Sequence, residues 1–207
     1  MADDATQNGK PEARTGGALE GIRVAFVVAN EGVEQVELLD PWQVVVEAGG
    51  TPTLVAPDLG NVQLMNHLEK GDTRTVDLTT DGARPQDFDA FMLPGGVANP
   101  DQLRTDGPAV EFVRAMVESG RPAAVICHGP WTLVEADVIR GRTLTSWPSL
   151  RTDITNAGGI WVDEEVVVCT DGPNALVTSR RPDDLPAFCR TLVEVIAEQS
   201  APLRATV

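Results

Sequence analysis

The chain has no tyrosine, only two histidines and three cysteines among its 207 residues. Without tyrosine, no phenol can serve as a proton donor or as a recognition group. The cysteines stand at 127, 169 and 189, an odd number with no Cys-x-x-Cys pair. That pattern speaks against a disulfide framework and against a structural zinc site, and it suits free thiols in a reducing cytoplasm. Basic residues are also scarce, 16 Lys and Arg against 31 Asp and Glu, for a net charge of -15. Such a surface repels phosphate backbones and anionic lipid, so neither a nucleic acid nor a membrane is expected as a partner. No apolar run approaches membrane-spanning length. The opening "MADDATQNGKPEARTGGALEG" has no apolar centre and does not read as a secretory signal.

What is present is an ordinary globular composition, 42% hydrophobic and 23% charged, long enough for one domain with a full core. Residues 1–20 read as a flexible N-terminal tail, 21–199 as the domain and 200–207 as a C-terminal tail. "IRVAFVVA" (22–29) is a continuous β-branched run, the mark of a strand buried on both faces. "VEQVELLDPWQVVVEAGG" follows as a helix that Pro41 should kink or divide. "TPTLVA" is the next strand, and "NVQLMN" and "RTVDL" suggest a hairpin excursion. "DFDAFMLPGG" is a buried strand opening into a glycine turn. "PAVEFVRAMVESG" is an amphipathic helix, "PAAVI" a strand and "PWTLVEADVI" (130–139) a helix. "EEVVVCT" and "NALVTS" are late strands before a closing helix over 182–200. Strands alternating with helices imply a mainly parallel sheet covered on both faces. Sites in such sheets lie at the carboxyl ends of strands, here after Ala29, Leu93 and Ile126.

The third of these ends carries the scarcest chemistry. In "AAVICHGP" Cys127 and His128 are neighbours, and Gly129 and Pro130 force a turn. A strand–nucleophile–helix elbow presents its reactive atom above the sheet in this way. Pro130 suits a first helical turn, and the helix dipole should favour thiolate and lower the Cys127 pKa. The other reading is an inert buried cysteine at a strand end. "LPGG" (93–96) could bring a backbone N–H to the same point, or could be a plain turn needing positive φ. After the first strand come Glu31, Glu34 and Glu37, the last two spaced to share a helical face. A carboxyl aimed at the thiol would be coupled to it, either protonated and donating or raising its pKa; a solvated acidic face is the plainer alternative. Cys169 and Cys189 read as structural. His67, in "LMNHLEKG", reads as a surface-loop residue rather than a catalytic one.

The segments "RVAFVVANEGVEQVEL", "FDAFMLPGG", "AAVICHGP", "VIRGRTLTSWPSLRTDITNAGGIWVDEEVVV" and "LVTSRRPDDLPAF" occur in that order. With them the chain resembles the DJ-1/PfpI superfamily, in particular its PfpI-like branch of intracellular proteases and general stress proteins, over about residues 22 to 197. The resemblance implies an α/β, flavodoxin-like three-layer sandwich with Cys127 as nucleophile on the elbow. It implies that Glu37 hydrogen-bonds the thiol, that Glu34 lines the same pocket, and that the Gly96 and His128 N–H groups form the oxyanion site. The matching position for an acidic residue that orients the histidine from a neighbouring subunit is Asp101, so at least a homodimer is implied. Trp147 stands in "TSWPS", where the family often has tyrosine. The resemblance implies no cofactor and no metal. Class I glutamine amidotransferases share the elbow but need a downstream His-x-Glu, and no histidine follows His128.

Three functions fit these residues. One is a cofactor-independent cysteine enzyme acting on reactive carbonyls, a glyoxalase III or deglycase, in which thiolate adds to an aldehyde and Glu37 or His128 moves protons. The second is a cysteine peptidase with His128 as base, although side chains adjacent on a turn are expected to diverge. The third is a non-enzymatic redox sensor or chaperone using Cys127 oxidation.

Overall fold

The computed structural model describes residues 17–204. Twelve strands and six α-helices occur among them. The N-terminal half contains β1 (Arg23–Val27), β2 (Glu31–Glu34), α1 (Gln35–Glu47), β3 (Thr51–Ala56), β4 (Asn61–Asn66), β5 (Glu69–Thr75), β6 (Leu78–Thr79) and β7 (Ala90–Leu93). Then follow α2 (Ala98–Leu103), α3 (Gly107–Glu118), β8 (Ala123–Ile126), α4 (Pro130–Glu135), β9 (Thr143–Leu144), α5 (Arg151–Asn156), β10 (Ile160–Trp161), β11 (Val166–Cys169), β12 (Leu176–Ser179) and α6 (Leu185–Arg204).

The central sheet has seven strands in the order β11-β12-β8-β7-β1-β3-β6. Every pair is parallel except β11 with β12. The strands β1, β7, β8 and β12 form its middle, and all but the first residue of β1 are buried, as a sheet covered on both faces requires. Two apolar clusters flank it. One joins Phe26, Leu38, Val45, Phe188, Leu192 and Ile196 beneath α1 and α6. The other joins Phe91, Phe112, Val113, Met116, Leu133 and Ile154 beneath α3, α4 and α5. The three-layer sandwich expected from the sequence is therefore the fold. Among the described residues no helix is long and apolar enough to cross a membrane.

Two local expectations are corrected. Val33 and Glu34 are not the start of the helix but the end of strand β2, which pairs with β4 of the β4–β5 hairpin to form a separate three-stranded sheet. Helix α1 runs unbroken through Pro41, which is buried; packing of Leu38 and Val45 on the sheet holds the helix across the missing N–H. Leu19 falls within the stretch read as the N-terminal tail. Leu19 is fully buried in the core and its N–H bonds Ala48 O at 2.8 Å, while 1–16 lie outside the described residues. Helix α6 runs on through residues 200–204, to Arg204, and 205–207 lie outside the described residues.

Candidate active site

Cys127 sits between β8 and α4 with φ of +60°, a left-handed conformation rare for a residue with a side chain. Its N–H donates to Ser179 O of the neighbouring strand at 3.0 Å, and its carbonyl accepts from Trp147 N at 2.9 Å. The turn closes through Gly129 N–H to Ile126 O at 2.9 Å. A Cβ on Gly129 would lie 2.7 Å from Leu93 O, so only glycine allows β7 and the elbow to approach this closely. The strained elbow lifts the sulfur to the carboxyl end of the sheet, where all three strand ends named from the sequence meet.

Glu37, in the first turn of α1, reaches that point with no solvent exposure. Its Oε2 accepts from Gly95 N–H at 2.9 Å, and the carboxyl and the Cys127 thiol each perturb the other's titration. Its Oε1 is buried with no hydrogen-bond partner, an environment that disfavours the charged carboxylate. Burial pushes the carboxyl from 4.5 to about 8; the Glu34 charge adds to the rise, and hydrogen bonds from Cys127, Gly95 and Gly96 oppose it. Glu37 is thus a carboxylic acid at neutral pH. The Cys127 thiol is also pushed up, first by burial and then by the negative charge Glu37 would carry; N–H groups of Gly96 and His128 pull it down. The expected lowering by the helix dipole is therefore overturned. Helix α4 has only six residues, and its dipole is outweighed by desolvation. Protonation of Glu37 removes the negative charge that raises the thiol, and so eases formation of thiolate.

His128 corrects a second expectation. Its side chain does not diverge from Cys127: Nδ1 is 3.2 Å from Sγ. Its Nε2 is 3.5 Å from Ser149 Oγ. The ring lies stacked on Trp147 at 5.6 Å and tilted against Trp131 at 5.4 Å. Burial lowers its pKa to about 4, so at neutral pH the ring is uncharged and Nδ1 can accept a proton.

A cavity of about 390 Å³ opens over the thiol, and Glu34, Glu37, Gly96, Cys127, His128 and Trp147 all line it. Asp101, the remaining site residue named from the sequence, does not. It is exposed on α2 and faces a separate groove with Arg104, Glu111 and Glu135. Within one chain it is not brought to His128.

Sequence reasoning missed His67. It occupies the β4–β5 hairpin tip with φ of +59° and lines the same cavity. Its N–H donates to Glu34 Oε2 at 3.1 Å, while its imidazole remains 85% exposed. It is a surface residue, as read, but at the rim of the site; pairing of β2 with β4 is what brings it there. Asn99 was missed as well, since nothing in "PGGVANP" marks it as more than a turn residue. Cys169 and Cys189 are buried free thiols away from this cavity, and burial raises Cys189 to about 12.

The DJ-1/PfpI family model matches residues 22–195. A deglycase of Pyrococcus horikoshii is 42% identical over 175 residues, 84% of this chain and 99% of that protein. General stress protein 18 of Bacillus subtilis is 41% identical over 170 residues, 82% of this chain and 95% of that protein. Among solved structures, DJ-1 of Schizosaccharomyces pombe superposes with a TM-score of 0.73 over 90% of this chain and 98% of its own; at 19% identity this likeness speaks to the fold alone. With a family model spanning nearly all of the sandwich and relatives matched along almost their whole length, this chain belongs to the DJ-1/PfpI family.

Proposed function

We propose that the protein is a cofactor-independent, cysteine-dependent enzyme of stress protection that converts reactive carbonyls, methylglyoxal or its adducts on amines and thiols. The observation that carries this reading is the buried, protonated Glu37 against the Cys127 sulfur. Deglycase and general-stress names among relatives more than 40% identical support it.

The chemistry follows from one shared proton. Thiolate sulfur adds to the aldehyde carbon, and the carbonyl electron pair takes the Glu37 proton, giving a hemithioacetal and a carboxylate. The Gly96 and His128 N–H groups, which pull the Cys127 titration down, stabilise the developing oxyanion in this reading. The Glu37 carboxylate then removes the hydrogen on the former aldehyde carbon and returns it to the neighbouring carbon. The hydroxyl proton moves to the second oxygen, leaving a 2-hydroxy thioester. Water cleaves the thioester, one of its protons going to the Glu37 carboxylate; the hydroxy acid gives its own proton to solvent and leaves as the anion, so thiolate and carboxylic acid are restored.

A second copy supplying Asp101 to His128 would complete a Cys–His–Asp arrangement at a dimer interface. The exposure of Asp101 in the single chain is compatible with that role. A peptidase reading is favoured by one observation, the 3.2 Å approach of His128 Nδ1 to Sγ. Three buried free thiols favour a reducing cytoplasm as its location. The test is product analysis with purified protein. Wild type should turn methylglyoxal into lactate and Cys127→Ser should not; equal conversion by both would reject the reading.

A further inference from the structure

We propose that Asn99 is the positioning residue of the site: its single side-chain amide locks two consecutive glycine-containing peptide planes whose far ends are the N–H groups facing Glu37 and Cys127. The proposal rests on the cysteine–carboxyl reading above for its kinetic consequences, but its geometry stands without it.

Asn99 lies in the first turn of α2 and is 1% exposed. Its Oδ1 accepts from Ala29 N–H at 2.7 Å, just beyond the end of β1. Its Nδ2 donates to Pro94 O at 2.9 Å and to Gly95 O at 3.1 Å, just beyond the end of β7. These partners admit one orientation of the amide only, since the donor faces two carbonyls and the acceptor faces one N–H.

In a trans peptide the C=O of one residue and the N–H of the next belong to one rigid plane and point in opposite directions. Holding Pro94 O therefore aims Gly95 N–H, which donates to Glu37 Oε2 at 2.9 Å. Holding Gly95 O aims Gly96 N–H toward the thiol and carboxyl, and this N–H pulls the titration of both Cys127 and Glu37 down. Glu34 N–H adds a long bond of 3.4 Å to the same Gly95 O.

The lock is needed because the segment has no steric one. Gly95 and Gly96 lack side chains, and Gly96 has φ of +81°, so a peptide flip meets no Cβ. The glycines cannot be replaced by stiffer residues. A Cβ on Gly95 would lie 2.5 Å from Glu37 Oε2 and 2.6 Å from Cys127 Cβ, and one on Gly96 would lie 2.1 Å from Gly32 O. Close approach demands glycine, and glycine demands an external clamp. Asn99 supplies it and, through Ala29, ties the strand leading to Glu34 and Glu37 to the loop that serves the thiol.

The near-isosteric Asn99→Asp tests this, because a carboxylate cannot donate to the two carbonyls. The expected result is a folded protein in which the pH midpoint of Cys127 alkylation by iodoacetamide rises. Methylglyoxal turnover should fall on the order of 10²-fold in kcat with KM changed less than about threefold, the loss expected for one misaimed oxyanion donor. An unchanged alkylation midpoint with kcat within about threefold of wild type would overturn the proposal. If Asn99→Asp does not fold, wild type alone decides: NMR relaxation dispersion at Gly95 and Gly96 should be flat, and exchange between two peptide orientations there would overturn the lock. Absence of any methylglyoxal turnover by wild type would defeat the carbonyl reading, while alkylation and dispersion would still judge Asn99.

Discussion

Replacing Glu37 by glutamine should stabilise the protein at neutral pH, and the gain should grow as pH rises. The carboxyl titrates at 4.5 when free and at about 8 in the fold. Its folded-state pKa is raised, so between these values the native state holds a proton that the unfolded chain has lost. Stability must then fall as pH rises through that window, by about 1.4 kcal/mol per pH unit for one full proton. From pH 5 to pH 7 this amounts to about 3 kcal/mol. Glutamine keeps the carbonyl that accepts from Gly95 N–H and has nothing to titrate. The many exposed carboxylates titrate alike in both proteins, so the difference between them isolates Glu37. Urea denaturation of wild type and Glu37→Gln at pH 5, 6 and 7 measures it. The difference in unfolding free energy should shift by about 3 kcal/mol in favour of the variant across that range. A difference that stays flat with pH would refute the claim that burial holds the Glu37 proton.

Three further outcomes are expected. Brief, limiting iodoacetamide at neutral pH should label Cys127 before Cys169 or Cys189, because only Cys127 combines cavity access with N–H donors and a carboxylic acid at sulfur; mass mapping that finds another cysteine first would contradict this. Gly96→Ala should abolish turnover while the sandwich persists by circular dichroism, because its Cβ would lie 2.1 Å from Gly32 O at a φ of +81°; wild-type activity would contradict it. Light scattering at micromolar concentration should show at least a dimer, and a monomer would remove Asp101 from the site.

The sandwich was legible because its strands are continuous apolar runs between turn residues, and the elbow because Cys, His, Gly and Pro fall together at one strand end. Glu37 was legible as a carboxyl near the thiol. Its environment was not: Glu34 ends a strand instead of sharing a helical face with Glu37, and the spacing of two glutamates cannot report that. The dipole argument failed because sequence gives the start of α4 but neither its six-residue length nor the dryness of the sulfur. His67 and Asn99 were invisible for a common reason. Each is held by a partner far away in sequence, His67 N–H by the Glu34 carboxylate across 33 residues and Asn99 Oδ1 by Ala29 N–H across 70, and only tertiary pairing brings them together. Asp101 and His128 line different cavities of the single chain; the resemblance joins them only across a subunit boundary.

The central claim is that Cys127 and Glu37 act as one unit on a carbonyl, and one comparison tests it most directly. Aldehyde conversion and Cys127 alkylation are measured side by side in wild type, Glu37→Gln and His128→Ala, with a fluorogenic peptide as second substrate. Loss of a proton-transfer group costs roughly 10²–10⁴ in rate. Glu37→Gln should therefore lose methylglyoxal conversion by that order while Cys127 remains open to alkylation. His128→Ala should lose less, because its backbone N–H stays at the sulfur. If Glu37→Gln converts methylglyoxal at the wild-type rate, or if His128→Ala alone abolishes turnover together with peptide hydrolysis, the carbonyl mechanism is wrong and the peptidase reading takes its place.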